Sequence, residues 1–527
     1  MHFITRGVQH WTELEDPYDE IVIGPAKFDS TSYKFFTGPG LTVDALIESI
    51  DPGNEELKKR AFDFVALCLE INDGFTALGI SRVLPSCLHF LVSKRLKRLY
   101  KIASMTVRDV QFAIFNLGFD TNRLYLESCP PAPSSPDTDP ILRRVKTVLT
   151  HPIGDYAVQP REASMAAHGV TMAHYSRGAS YTVGPTKNIS ERATSILPLF
   201  GGEVFTNALV HEVIVENGRA VGVRVCEASA QVASRVDVPL VELRATNIVW
   251  SAGIFNLYQR LPQTLPEVQA FQDPAKRTVR PSNGHIYLFC KLRGNAADIG
   301  LPTHNLWYFN SDDLDTAFDM YFANPRGSRP PTVYIGFPCT KDTQWETRFP
   351  GVSNCILISD GLWEWFEEWS TEPAHNRGES YEAFKEQLSN ILLDILFEVV
   401  PQVKGKVEFS MLGTPLTEVT YFASFQGGSY GTKCEAAMFD AVNRRWTTTP
   451  KTNIPRLFLA GSDAFLPSVC GAMHGGCFGA VAVLGYMHSM RLAWAFLSDF
   501  AASLKEDNAK LSWLGAYLLA ALKSVQD

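Results

Sequence analysis

The stretch that most constrains this chain is IPRLFLAGSDAFLPSVCGAMHGGCFGAVAVLGYMHSM, residues 454 to 490. The apolar run Leu457 to Ala460 has the length of a buried strand and stops at Gly461. Asp463 follows two residues on, and a helix rich in glycine and alanine begins near Gly471 and Ala472. Strand, tight turn and small-residue helix in that order belong to an α/β layer. The arrangement suits a bound dinucleotide. Asp463 can accept hydrogen bonds from ribose or ribityl hydroxyls, and a helix start offers unpaired N–H groups and a positive dipole end. Gly471, Ala472, Gly475 and Gly476 would let the backbone approach a planar ring. Tight helix-on-strand packing has the same pattern, so both readings stay open.

At 527 residues the chain has room for about three domains or two large interleaved ones. Its net charge of −8 lacks the broad positive surface that nucleic-acid binding draws on, so no nucleic acid is expected as partner. Ten scattered cysteines with no C-x-x-C fit small buried thiols in a reducing compartment. The first residues carry no basic segment followed by an apolar one, so no signal peptide is recognised. Ile21 to Gly24 reads as a strand. From Leu41 to Met105 apolar residues recur at helical spacing (Leu46, Leu57, Phe62, Val65, Leu69), with DPGNEE at 51 to 56 as a helix start. Residues 129 to 140, CPPAPSSPDTDP, read as an exposed loop. Residues 203 to 225 form a hairpin around Asn217-Gly218, and 241 to 253 a further strand. In GLWEWFEEW, residues 361 to 369, Leu362, Trp365, Phe366 and Trp369 share one helical face. That spacing predicts a packed helix with its acids toward water.

The order of these parts, a Gly-Gly turn at Gly201-Gly202, a hairpin carrying Val210, a strand ending Ser251-Ala252-Gly253 and the 454 to 490 stretch, is that of a flavoprotein with two dinucleotide-binding domains. Here the sequence resembles the phytoene desaturase and carotenoid isomerase group, most closely the all-trans-retinol 13,14-reductase (retinol saturase) family. The residues that carry the likeness are HFI at 2 to 4, His174-Tyr175 with Gly178, NLYQRLP at 256 to 262, TVRPSNG at 278 to 284, WETRFPG at 345 to 351, EWFEEW at 364 to 369 and GTPLT at 413 to 417. The resemblance implies FAD, with Val210 at the adenine, Gly461 and Asp463 near the pyrophosphate and ribityl chain, and Gly471-Ala472 at the isoalloxazine. It further implies NAD or NADP as electron source, a lipophilic polyene substrate and association with the endoplasmic reticulum membrane. The fold it implies is α/β, with an interleaved α+β substrate domain.

The chain departs from that family in three places. Pro185 stands where a Gly-Gly is expected, removing a backbone donor, and Ser468 replaces a glycine five residues after the flavin aspartate. No G-x-G-x-x-G occurs anywhere, and Gly38-Pro39-Gly40 lacks the third glycine. The expectation is therefore a fold whose first βαβ unit is missing, either by N-terminal truncation, with Met1 an internal methionine, or in a variant that has lost ordinary FAD binding. The segments expected are 1–40 after the first flavin motif, 41–185 helical and membrane-facing, 186–260 FAD domain with hairpin, 261–450 substrate domain, 451–490 C-terminal FAD segment and 491–527 helical tail.

Three other signals compete. Gly427-Gly428-Ser429-Tyr430-Gly431 matches G-x-S-x-G, with Asp463 and His474 following in hydrolase order, but no oxyanion glycine cluster lies upstream. His168 and His174 have no third ligand nearby, so no metal is expected. Lys94, Arg95, Lys97, Arg98 and Lys101 follow the apolar VLPSCLHFLV of 83 to 92, which makes either an interfacial helix on an anionic membrane or a solvated face. No apolar run reaches the ~18 to 20 residues of a span, and WLGAYLLAAL at 513 to 522 would lie on a membrane or pack. The expected reaction is hydrogenation of one C=C bond of a conjugated polyene, with Tyr430 or His174 as proton source. Carotenoid isomerisation or desaturation, and a non-catalytic remnant binding lipid or a partner, are the alternatives.

Overall fold

A computed structural model describes residues 10–24, 31–135, 137–228, 239–273, 277, 279–439 and 449–485. Its frame is a seven-stranded sheet in the order β13 (Val407–Gly413), β9 (Gly284–Arg293), β12 (Val352–Gly361), β11 (Thr332–Gly336), β10 (Asn305–Phe309), β2 (Asp19–Ile23) and β3 (Thr31–Phe35). Neighbours run antiparallel except β10 and β2, which are parallel. Side chains alternate between the two faces, so each face has its own chemistry. One face is apolar: Ile286, Leu288, Cys290 and Leu292 of β9, with Leu306, Val333, Ile335 and Leu357, form a core with Phe384, Leu388, Leu392 and Ile395 of the helix Glu379–Val399.

The register lines up the opposite face in rows. Ile21, Trp307, Tyr334, Ile358 and Tyr287 stand side by side across five strands. Asp19 and Asn305 pair in the row beside them, as do Asp360 and His285 in the row on the other side. At β2, β3 and β10 this face is roofed by the helices Pro39–Ile50, Glu55–Val83 and Met165–Tyr175, in one core with Ile21, Phe35, Trp307 and Phe309. Toward β9 and β13 it opens. Phe289 and Met411, paired in register, are 43% and 54% exposed.

Three smaller sheets complete the described chain. β5 (Ala208–Glu216), β6 (Arg219–Glu227) and β7 (Val241–Arg244) are antiparallel, β8 (Ile248–Trp250) pairs in parallel with β14 (Leu457–Leu459), and β1 (Trp11–Glu13) pairs with β4 (Ser180–Thr182). The β5–β6 turn is Asn217-Gly218, both at positive φ, as the hairpin expectation requires. The strand expected over 241 to 253 is instead two strands in two sheets. β7 is an exposed edge on the hairpin, whereas β8 alternates buried Ile248 and Trp250 with exposed Val249.

Other local expectations resolve with physical causes. Asn54 caps the long helix Glu55–Val83, its side chain accepting from the Leu57 amide. Leu46, Leu57 and Val65 are buried, while Phe62 and Leu69 lie on the outer side. Residues 361 to 369 are not an α-helix but two 3₁₀ turns, Trp363–Trp365 and Glu367–Trp369. Period-three turns also stack i on i+3, so Phe366 and Trp369 are buried and Glu364, Glu367 and Glu368 exposed all the same. The Pro-rich loop is exposed yet tethered: Ala132 N donates to Asp109, and Lys146 pairs with Asp137 at 2.5 Å.

Candidate functional site

β14 delivers its aspartate into the interior. After Gly461, at φ 77°, the turn Ser462–Ala464 buries Asp463, whose Oδ2 accepts from Ile254 N at 2.6 Å and so caps the helix Ile254–Arg260 that follows β8. Oδ1 is buried with no hydrogen-bond partner, and burial raises the carboxyl above its ordinary range. Gly431 and Gly253 flank it: a β-carbon on Gly431 would lie 3.0 Å from Oδ1. Val210 is half-buried at the bulge in β5, a strand that packs on the same helix.

The helix after Asp463 differs from expectation. It runs Val469–Leu484, two residues longer at its start, and Ser468 caps it, with Oγ accepting from Gly471 N and the carbonyl from Ala472 N. Those amides are therefore engaged within the protein. Gly471 and Gly475 pack closely on backbone: a β-carbon on Gly475 would lie 1.9 Å from the Gly461 carbonyl oxygen, and one on Gly471 2.1 Å from that of Leu466. Gly476 is exposed with nothing within 4 Å. Gly475 and Gly479 let the helix lie close on the end of β14. Ser468 holds φ 114°, a conformation suited to glycine.

Beside Asp463 the loop Gly427 to Gly431 lies flat on the start of β9. A β-carbon on Gly284 would meet the Gly427 carbonyl oxygen at 2.6 Å, and one on Gly428 the Ser282 carbonyl oxygen at 2.9 Å. This seating places Ser429 Oγ 2.7 Å from His285 Nδ1 and 3.1 Å from Tyr287 Oη. Tyr430 stands edge-on to His285, and its hydroxyl donates to the Gly154 carbonyl at 2.7 Å. Burial keeps that phenol protonated, lowers His285 to about 4 and raises Asp360, paired with His285 across the ladder, to about 7. His285, Tyr287 and Asp360 were missed from sequence. The available signal was β9 itself, where His285 and Tyr287 alternate with the apolar Ile286 and Leu288 and so share the opposite face.

The hydrolase reading falls on geometry. Ser429 does meet a histidine, but the Tyr430 amide that a nucleophile elbow would offer to an oxyanion donates instead to Ser282 Oγ at 2.9 Å. His474 is not at Ser429; its Nδ1 lies 2.8 Å from the Cys470 carbonyl. His168 is fully buried with Nδ1 3.0 Å from Tyr156 Oη, and burial keeps it neutral down to about pH 3. Among the described residues no group of three or more His, Cys, Asp or Glu could hold a metal. His174 is exposed and edge-on to Tyr175. Residues 2–4 and 513–522 lie outside the described residues.

The residues present fit part of a flavin dinucleotide. Asp463, with one unpartnered buried oxygen beside two glycines, fits the hydroxyl-bearing arm. The phosphates find no G-x-G-x-x-G loop in the sequence.

No protein-family model matches the chain. Individual proteins do. It is 28% identical over 482 residues to all-trans-retinol 13,14-reductase of Danio rerio, covering 90% of this chain and 73% of that protein. To the Homo sapiens enzyme of that name it is 27% identical over 492 residues, covering 91% and 74%. The chain is a relative of the all-trans-retinol 13,14-reductases. It is also 29% identical over 335 residues to a Danio rerio protein called inactive all-trans-retinol 13,14-reductase, covering 62% of this chain and 53% of that one. Likeness to the reductases spans both the Asp463 turn and the Ser429 loop, since nine-tenths of the chain is aligned.

Proposed function

We propose that this chain is a flavin-dependent oxidoreductase that saturates a C=C bond of a conjugated polyene alcohol. The observation that carries the reading is the likeness to all-trans-retinol 13,14-reductases over nine-tenths of the chain. Bound FAD supplies hydride chemistry, which no side chain can. Asp463 is the residue to hold its ribityl hydroxyls, through the oxygen that lacks a partner. Tyr430, kept protonated and seated between Asp463 and the sheet floor, is the better placed of the two proton-donor candidates; exposed His174 is not. His285 and Ser429 hold the Tyr430 loop in place. The open apolar floor at Phe289 and Met411 gives a lipophilic chain a way in.

A membrane surface is the natural source of such a substrate. The 3₁₀ segment Ser86–Val92 exposes Leu88, Phe90 and Leu91, and the helix Ser93–Ala103 that follows exposes Lys94, Arg95 and Lys97. Apolar side chains beside a cationic turn suit contact with an anionic bilayer. The helix Glu55–Val83 is long and apolar enough to cross a membrane, yet its buried residues pack into the protein core.

The test is incubation of the full chain with FAD, a reductant and all-trans-retinol, followed by mass analysis. A product heavier by H2 supports reduction. Unchanged mass with altered retention would replace it by isomerisation, loss of H2 in a parallel sample with oxidised FAD and no reductant by desaturation, and recovery of retinol alone by the non-catalytic reading.

A further inference from the structure

Behind Tyr430 lies a second polar group that cofactor binding does not use. The residue after Gly154, whose carbonyl receives the Tyr430 hydroxyl, is Asp155. Its Oδ2 is buried with no hydrogen-bond partner, and Tyr175 stands beside the carboxyl. The nearby Asp19 is different. It accepts from Asn305 at 2.7 Å and Trp307 Nε1 at 3.1 Å and meets His151 Nε2 at 2.7 Å, while Tyr334 and Lys341 both donate to Asn305 Oδ1. Protein groups thus occupy Asp19 and leave Asp155 one oxygen to fill.

The surroundings say what would fill it. Gly154, Asp155, Tyr175, Tyr334 and Tyr430 each retain some water-reachable surface, although desolvation lifts Asp155 to about 6. Gly154 lies over the same sheet face, where a β-carbon on it would meet the Trp307 ring at 2.4 Å. Beside Trp307 runs the row Tyr334, Ile358, Tyr287, about 10 Å across two strand spacings, leading to the exposed Phe289 and Met411. This floor is polar near Asp155 and apolar at its open edge. A buried acceptor without a donor is costly, so such a site favours a ligand that brings one.

We propose that Asp155 is a hydroxyl-binding subsite: its carboxylate accepts the O–H of a lipophilic alcohol lying head-first along the Tyr334–Ile358–Tyr287 floor, apolar end toward Phe289 and Met411. This rests on the polyene-alcohol reading and adds which end enters first and which residue distinguishes alcohol from ether or hydrocarbon. It also sets the double bond nearest the carbinol carbon beside Tyr430. Asp155 is a positioning residue for that bond.

The experiment is fluorescence titration of the full chain with all-trans-retinol and with its methyl ether, which keeps the shape but cannot donate. The wild-type chain should bind the alcohol about tenfold or more tightly than the ether, because the ether leaves the acceptor unpaired. Asp155→Leu should bring the two within about twofold by weakening the alcohol and not the ether, and Asp155→Asn, which keeps an acceptor, should retain most of the preference. Equal affinities in the wild-type chain, which need no variant to fold, would overturn the subsite, as would an undiminished preference in Asp155→Leu. Alcohol binding with either of those outcomes removes the subsite alone; binding of neither ligand removes the polyene reading with it.

Discussion

Gly475 and Gly476 are neighbours in one helix and should respond to alanine with opposite signs. At Gly475 an added β-carbon would sit 1.9 Å from the Gly461 carbonyl oxygen, where 3.0 Å is already tight, so helix and strand must part by more than about 1 Å. Backbone lies on the far side of that contact, and no flexible side chain can give way. Overpacking of this kind costs ~1 to 3 kcal/mol, against a gain of up to ~1 kcal/mol from helix propensity. Gly476 has nothing within 4 Å and ordinary helical φ, so Gly476→Ala keeps only the gain, ~0.5 to 1 kcal/mol. Thermal and urea melts of the two variants should therefore separate, with Gly475→Ala below the wild-type protein and Gly476→Ala level with it or above. Gly475→Ala should also lose bound flavin, because Gly461 and Asp463 move with the strand end. Two alanine variants of equal stability would refute the packing argument.

Other predictions follow from the same geometry. Ser468→Gly should raise the melting temperature, since relief of a positive-φ serine, of order 1 kcal/mol or more, exceeds the few tenths lost with the cap; a lower melting temperature contradicts this. Asp360 titrates near 7 in the fold against 3.8 unfolded, so its cost to stability grows as pH rises from about 4 to 7. Asp360→Asn should then stabilise the chain at pH 8 and not at pH 4, read by melts at both values. His168 works on the acid side: held to about 3 against 6.5, it withdraws stability as pH falls below 6.5, and His168→Gln should flatten that slope in a pH series of melts. Phe90→Glu, and separately Lys94→Glu with Lys97→Glu, should each reduce co-sedimentation with anionic phospholipid vesicles. Binding to neutral vesicles that equals binding to anionic ones would remove the cationic part of that surface.

Local chemistry was the legible part of this molecule. The Asn217-Gly218 hairpin, the Asn54 helix start, the β14 strand with Asp463 and the exposed Pro-rich loop all follow from short-range rules about turns, caps and apolar runs. What escaped depends on which segments meet. No short-range rule tells that 241 to 253 divides between two sheets, because the choice is set by the partners β6 and β14. His285, Tyr287 and Asp360 become a group only through the β9–β12 register and the seating of the Ser429 loop. Asp155 joins them because its neighbour Gly154 accepts a hydrogen bond from Tyr430, a residue far along the chain. The small-residue helix shows the reverse problem: its glycines suit a ring or a strand equally in sequence, and the Gly461 carbonyl beneath Gly475 shows close packing at that one position.

The central claim is that this chain retains flavin-dependent reduction although the sequence holds no G-x-G-x-x-G loop. The most direct measurement is flavin binding and turnover on one sample: the purified full chain, mixed with FAD and freed of excess, then given reductant and all-trans-retinol. The prediction is a flavin spectrum that stays with the protein, falls sharply in Asp463→Ala, and accompanies conversion of retinol to a product heavier by H2. A colourless chain that leaves retinol unchanged would contradict it.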